Sequence, residues 1–106
     1  MKPSASNSEL TRVVKMTFHP EKVNEFLSLI LETKEKIRAS QGCCFFELYS
    51  DKAKPGLFFT YTKWRSEEDL EMYRKSDLFA GTWAKTKVLF SEKAQAWSLN
   101  SVTVLP

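Results

Sequence analysis

The chain has few of the residues from which metal, nucleotide and nucleophilic catalytic sites are built. Its 106 residues include three glycines, two cysteines and one histidine. Gly42, Gly56 and Gly81 are isolated, so the sequence lacks both a phosphate-binding loop and a dinucleotide-binding motif. His19 and the two cysteines are too few ligands for an ordinary zinc site, and no motif around His19 indicates a catalytic triad. We therefore expect neither a bound metal nor a cofactor.

Long apolar runs and a strong charge of one sign are also absent. Residues 1–10 contain no apolar run, which predicts a flexible polar lead-in instead of a signal peptide or membrane anchor, followed by a single domain over residues 11–104. The net charge is only +3, and the basic residues are scattered among acidic ones. This distribution is typical of solvated helix faces. We expect a cytoplasmic protein that binds neither nucleic acid nor membranes.

The two cysteines are neighbours in a segment that predicts a strand. Side chains of adjacent strand residues point to opposite faces, so Cys43 and Cys44 cannot form a disulfide with each other without strain. By the same alternation, Cys43 is predicted to share a face with Phe45 and Tyr49. We expect reduced thiols, with a redox switch as the alternative.

Hydrophobic periodicity predicts four strands and two helical regions. The alternating segments predict strands over residues 12–18, 43–49, 57–64 and about 93–104. Helical spacing predicts one helix between Pro20 and Gly42, and a second region from Ser66 to about Phe90 that breaks near Ser76. The resulting order, strand, helix, strand, strand, helix, strand, predicts an α+β protein with a ferredoxin-like antiparallel sheet and its helices on one face.

The central strands are apolar on both faces, although the helices can cover only one of them. Phe45, Tyr49, Phe59 and Tyr61 have one parity, whereas Phe46, Leu48, Phe58 and Trp64 have the other. Since no further element remains in the chain, a second copy is the economical cover for the uncovered face. We predict a homodimer in which two sheets pack face to face.

A candidate pocket is expected between the sheet and the helices. Thr60 and Trp64 share one side of their strand with Phe58 and Thr62. Composition alone favours a plain aromatic core in which hydroxyls and indoles are satisfied locally. Two threonines within an apolar strand weaken this interpretation, because buried hydroxyls need a partner or a ligand.

Four segments resemble a known family. They are the stretches Val13–Phe26, Gly42–Cys43, Lys63–Leu70 and Ser76–Phe79, and their order and spacing over residues 12–99 are similar to those of the antibiotic biosynthesis monooxygenases. The resemblance implies a dimeric α+β barrel. It also implies a monooxygenase that oxidises a small aromatic or quinol-like compound with O₂ and uses neither metal nor flavin.

The resemblance further implies roles for individual residues. Trp64 matches the tryptophan at the strand end of the family, while Thr60 stands where an asparagine is frequent and Tyr73 stands near a histidine of many members. We predict that Trp64 shapes the pocket and that Thr60 and Tyr73 hydrogen-bond the substrate oxygen, these three being the catalytic candidates. The predicted apolar substrate-binding walls are Phe26, Ile30, Phe79 and Trp83.

Other branches of the family fit less well. A haem-degrading branch uses an axial histidine, and this chain has Trp83 at that position, where an indole cannot ligate iron. A branch that isomerises a phosphorylated signalling sugar uses helix histidines that this chain also lacks. The remaining alternative to a monooxygenase is a non-catalytic dimer of the same fold that binds a small hydrophobic ligand.

Overall fold

A computed structural model describes residues 9–106 and shows a four-stranded antiparallel sheet with three α-helices. The elements in chain order are β1 (Leu10–Thr17), α1 (Val23–Arg38), β2 (Cys43–Ser50), β3 (Leu57–Trp64), α2 (Glu67–Arg74), α3 (Asp77–Lys87) and β4 (Gln95–Leu99). A 3₁₀ turn, Pro20–Lys22, precedes α1, and the strand order in the sheet is β2-β3-β1-β4. This is the ferredoxin-like α+β fold, as the sequence predicted.

Two serine caps divide the second helical region into α2 and α3. The Ser66 hydroxyl accepts a hydrogen bond from the Asp69 N–H at 3.1 Å, and the Ser76 hydroxyl accepts one from the Phe79 N–H at 3.1 Å. The Ser76 hydroxyl also donates to the Tyr73 carbonyl at 2.6 Å, at the C-terminal end of α2. The predicted break near Ser76 is therefore confirmed, and one side chain satisfies backbone groups of both helices.

The connection between α1 and β2 packs closely against the start of α2. Gly42 adopts a φ of 83°, and a Cβ at this position would overlap the Asp69 side chain. The Gly42 carbonyl accepts the Arg65 N–H at 2.7 Å, and the Gln41 side-chain amide donates to Asp69 Oδ1 at 3.3 Å. Only glycine combines this backbone conformation with such a close approach.

The outer parts of the predicted sheet differ from the structure. β1 begins at Leu10, which is buried and pairs with Trp64, so the sheet extends into the predicted lead-in; residues 1–8 of that lead-in lie outside the described residues. β4 ends at Leu99 instead of near residue 104. The register pairs Leu99 with Thr11, so β1 offers almost no backbone beyond this point with which a longer β4 could pair.

A β-bulge changes the face on which one cysteine lies. Cys43 pairs with Trp64, but the next pair is Phe45 with Lys63, which leaves Cys44 as the additional residue. Cys43 is buried among residues of the helix-covered face, so its predicted grouping with Phe45 was wrong. Both Cys43 and Cys44 are free thiols.

Aromatic rings dominate the interior between the sheet and the helices. Phe18 stacks on Phe26 with ring centroids 4.1 Å apart, and both rings meet the edge or face of Phe58. A second cluster forms around Trp64. Trp64, Phe18 and Phe26 are the largest fully buried side chains. Rings of this size bury much apolar surface and hold the helices on the sheet.

The opposite side of the sheet, called here the helix-free face, carries exposed apolar side chains, most of them aromatic. Phe45, Tyr49, Trp97 and Leu99 are 38%, 45%, 43% and 47% exposed. The Tyr61 ring lies between those of Phe45 and Tyr49, with centroids 5.9 and 6.4 Å away. In residues 9–106, no helix has the length and hydropathy needed to cross a membrane.

Candidate functional site

A cavity of about 320 Å³ lies between the helix-covered face of the sheet and the three helices. Its floor comes from alternate residues of β1 and β3, because side chains at every second position of a strand share a face. Its walls come from α1, α2 and α3, and the residues around the start of β4 complete it. The volume falls within the range of about 300–1,000 Å³ that is typical of small-molecule sites.

All seven site residues expected from the sequence line this cavity. They are Thr60, Trp64, Tyr73, Phe26, Ile30, Phe79 and Trp83. Strand parity places Thr60 and Trp64 on the floor, and helical spacing places the others on the walls. The structure thus brings the candidates together around one space, and their chemical roles remain predictions.

Trp64 has no polar group free for a ligand. Its side chain is only 1% exposed, and its Nε1 donates a hydrogen bond to Thr62 Oγ1 at 2.9 Å. The Thr62 hydroxyl in turn donates to the Arg12 carbonyl at 3.4 Å. Trp64 can therefore contribute shape and an aromatic surface to the cavity, whereas its N–H is already satisfied within the protein.

Tyr73 supplies a phenol to the cavity wall. Its ring tilts against Trp64, with centroids 5.0 Å apart, and meets Phe79 edge-on at 5.3 Å. Burial raises the pKa of Tyr73 to about 12, with a smaller contribution from nearby Cys43. The phenol therefore keeps its proton at neutral pH and can act as a hydrogen-bond donor.

Three hydroxyls that line the cavity, those of Thr60, Tyr73 and Thr82, have no hydrogen-bond partner within the described residues. The Tyr73 phenol and the half-buried Thr60 hydroxyl make no hydrogen bond to another group of residues 9–106. By contrast, Thr62 and Thr86 are satisfied, because Thr86 donates to the Thr82 carbonyl at 2.7 Å. Thr60, Tyr73 and Thr82 are consequently among the polar groups available to a ligand inside the cavity.

Sequence reasoning missed two arginines and two α3 threonines that also line the cavity. Arg12 has the same strand parity as Val14, and Arg74 follows Tyr73 directly, so both positions carried a detectable signal. Thr82 and Thr86 lie on the α3 stripe that carries Phe79 and Trp83. Burial and then the charge of Arg74 lower the pKa of Arg12, while the charge of Glu71 partly opposes this effect.

The described cavity lining contains no carboxylate, imidazole or lysine amine. Its ionisable groups are Arg12, Arg74 and Tyr73. His19 is exposed at the entry to the 3₁₀ turn and is not among the lining residues. Within the part of the chain that the structure describes, no group of three or more His, Cys, Asp or Glu residues could hold a metal ion.

Sequence comparison identifies relatives over most of the domain. The family model for antibiotic biosynthesis monooxygenases matches residues 10–85. The Bacillus subtilis protein named "Putative monooxygenase YcnE" is 31% identical over 72 residues, which cover 68% of this chain and 76% of that protein. A relative of the same description from Pestalotiopsis microspora is 32% identical over 59 residues, or 56% of this chain, and the match spans only about half of that relative, 49%.

Solved structures share the whole fold at low sequence identity. A conserved protein from Methanosarcina mazei superposes with a TM-score of 0.87 at 21% identity, covering 93% of this chain and 98% of that chain. SnoaB, a cofactor-independent oxygenase from Streptomyces nogalater, superposes with a TM-score of 0.82 at 18% identity and with the same coverages, 93% and 98%. At these identities the likeness shows the fold alone.

The topology and the aromatic cavity define a ferredoxin-like α+β domain with a cavity between sheet and helices. The match of the family model over residues 10–85 then narrows the class. The chain belongs to the antibiotic biosynthesis monooxygenase family. The resemblance drawn from the sequence is thereby confirmed.

Proposed function

We propose that this protein is a cofactor-independent monooxygenase that oxidises a small aromatic or quinol-like compound with O₂. The observation that carries the proposal is an aromatic cavity with two unpartnered hydroxyls, Thr60 and Tyr73, at positions where the family resemblance implies substrate contacts. Such a site can shape and desolvate a flat, electron-rich ring while donating hydrogen bonds to its oxygen.

The proposed chemistry draws its electrons from the substrate. A phenol or anthrone that loses a proton can transfer one electron to O₂, and recombination of the two radicals forms a C–O bond and a peroxide. Loss of water from the peroxide converts a substrate methylene group into a carbonyl. One oxygen atom of O₂ remains in the product and the other leaves as water, so no further reductant is needed.

The protein groups in the cavity restrict which substrates can react in this way. Since no carboxylate, imidazole or lysine amine lines the described part of the cavity, we expect the substrate to ionise through its own acidity. The protonated Tyr73 and the Thr60 hydroxyl would then stabilise the phenolate oxygen by hydrogen bonding. This favours acidic phenols and enols over compounds that need a strong base.

Oxygen consumption with a panel of anthrones and hydroquinones tests the proposal. We expect uptake above the buffer rate, and a loss on the order of a hundredfold in Tyr73→Phe if its hydroxyl stabilises the developing charge. Tyr61→Phe is the matched control, because Tyr61 lies on the helix-free face. The proposal fails if no compound on the panel is consumed although ligands still bind.

A homodimer is part of the proposal. The exposed rings of the helix-free face, including Tyr49 and Trp97, support a second copy as their cover. We expect a dimer in light scattering at low micromolar concentration, with Trp97→Glu shifted towards monomer. Leu31→Glu is the control, since Leu31 is 66% exposed on α1, away from this face. A monomeric wild-type protein contradicts the proposal.

The free thiols of Cys43 and Cys44 support a cytoplasmic location, where thiols stay reduced.

The second candidate is a non-catalytic dimer that holds a small hydrophobic ligand. The absence of a base from the described cavity lining favours it, as does an indole N–H of Trp64 that is already satisfied by Thr62. Ligand binding without oxygen consumption would support this candidate. If Trp64→Phe and Tyr73→Phe leave both affinity and turnover unchanged in an intact dimer, the cavity is a structural core and both candidates fail.

A further inference from the structure

Two arginines stand beside an otherwise apolar cavity. Arg12 is the third residue of β1 and Arg74 is the last residue of α2, and both line the cavity. Arg74 has a side chain that is 44% exposed, so it lies at the cavity mouth. On the strands next to β1, Arg12 faces Thr62 and Ser98, which are small residues and leave room for a ligand group above them.

The Arg12 guanidinium forms no ion pair within residues 9–106. Its Nη1 donates to Ser98 Oγ at 3.0 Å. Residues 1–8 contain no aspartate or glutamate. A guanidinium carries five N–H donors, so most donors of Arg12 remain available to a ligand.

Arg74 adds a second positive charge near Arg12. It forms an ion pair with Glu71 at 3.2 Å, and this contact leaves part of its donor fork free. Burial and then the charge of Arg74 lower the pKa of Arg12, while the charge of Glu71 acts in the opposite direction. Two like charges at a partly buried site repel each other, and an anion bound between them would add to the partial compensation that Glu71 already provides. The arrangement is typical of an anion-binding site.

We propose that Arg12 and Arg74 bind a carboxylate of the substrate, so that the protein selects aromatic acids over neutral ring compounds. The proposal rests on the proposed function only in taking the cavity as the ligand site. A carboxylate is favoured because its planar shape matches the guanidinium fork.

The spacing of the sheet indicates where the reacting part of such an acid would lie. Arg12 is opposite Thr62, and Thr60 is two residues further along β3. Two residues of an antiparallel strand span roughly 7 Å. The carboxylate at the arginine pair and the oxygen bound by Thr60 would therefore sit at opposite ends of a small ring system, with the ring between Tyr73 and the floor.

Matched probes test this inference without turnover. Naphthoate and its neutral counterpart naphthylmethanol present the same ring, and their binding can be followed by quenching of tryptophan fluorescence from Trp64 and Trp83. We expect the wild-type protein to bind naphthoate about tenfold more tightly, as charge-assisted hydrogen bonds predict. In Arg12→Gln and in Arg74→Gln this preference should fall towards unity, while naphthylmethanol affinity changes little.

Control variants separate this effect from loss of net charge or of folding. Arg65→Gln removes one positive charge from outside the cavity, where Arg65 pairs with Asp69, and should retain the preference. Arg12→Lys keeps the positive charge and should show part of the preference for naphthoate that Arg12→Gln loses. Equal affinity of the wild-type protein for both probes would overturn the carboxylate proposal and leave the ring site intact. Failure of both probes to bind would overturn the carboxylate proposal together with the proposed function.

Discussion

The hydrogen bond between Trp64 and Thr62 should account for a measurable part of the stability. In Thr62→Val the shape and strand propensity of the side chain are nearly kept, but the hydroxyl that accepts the indole N–H at 2.9 Å is lost. Trp64 is 1% exposed and Thr62 is 7% exposed, so water cannot replace the partner without opening the core. An unsatisfied buried donor costs about 1–3 kcal/mol. We therefore expect the free energy of unfolding to fall by about this amount.

Thr60→Val provides a matched comparison on the same strand and the same face. The Thr60 hydroxyl has no protein partner in residues 9–106, so its removal should change the free energy of unfolding by about 0.5 kcal/mol or less. Urea unfolding of both variants measures the difference between the two losses of stability. The protein concentration is kept fixed, because the stability of a dimer depends on concentration. Equal losses in the two variants would refute the assignment of the Thr62 hydroxyl as the structural partner and the Thr60 hydroxyl as the ligand group.

Further predictions concern the backbone and the ionisable groups. Gly42→Ala should lower the free energy of unfolding by at least about 1 kcal/mol because φ is 83°, whereas Gly81→Ala, in open space on α3, should raise it by roughly 0.5–1 kcal/mol in the same urea assay. Spectrophotometric titration should show one tyrosine ionising near pH 12 that is missing in Tyr73→Phe. Because the folded-state pKa of Tyr73 lies above its ordinary value of 10, stability should decline between pH 10 and about 12, and less steeply in Tyr73→Phe. Thiol labelling should modify exposed Cys44 quickly and Cys43 slowly, since burial raises the pKa of Cys43; equal rates would contradict the burial of Cys43.

Local signals were sufficient for most of the architecture. The breaks at Ser66 and Ser76 were predictable because an N-cap hydroxyl bonds to a backbone N–H three residues away, within one stretch of sequence. Strand parity likewise placed Thr60 and Trp64 on one side of β3. The extent of β4 was not predictable in this way, because its end at Leu99 depends on where β1 stops offering a partner.

The candidate site was likewise predictable only where neighbouring residues of the sequence determine it. Its aromatic walls could be anticipated because helical spacing places Phe79 and Trp83 on one stripe, where they stack with centroids 5.8 Å apart. The meeting of Arg12 with Arg74 could not, since the two residues belong to elements that are distant in the chain and are joined only by packing. The role of Thr62 as partner of the Trp64 indole depends on how these two buried side chains pack in the folded core.

The sequence by itself determined the kind and order of the elements, because periodicity, caps and turns act over a few neighbouring residues. It also determined the family and the aromatic walls of the cavity. Tertiary structure decided which face of the sheet Cys43 occupies, because the bulge in β2 is set by the pairing of β2 with β3. It also decided which hydroxyls of β3 are used by the protein and which remain for a ligand, because hydrogen bonding depends on the three-dimensional neighbours of each group and not on its place along the strand.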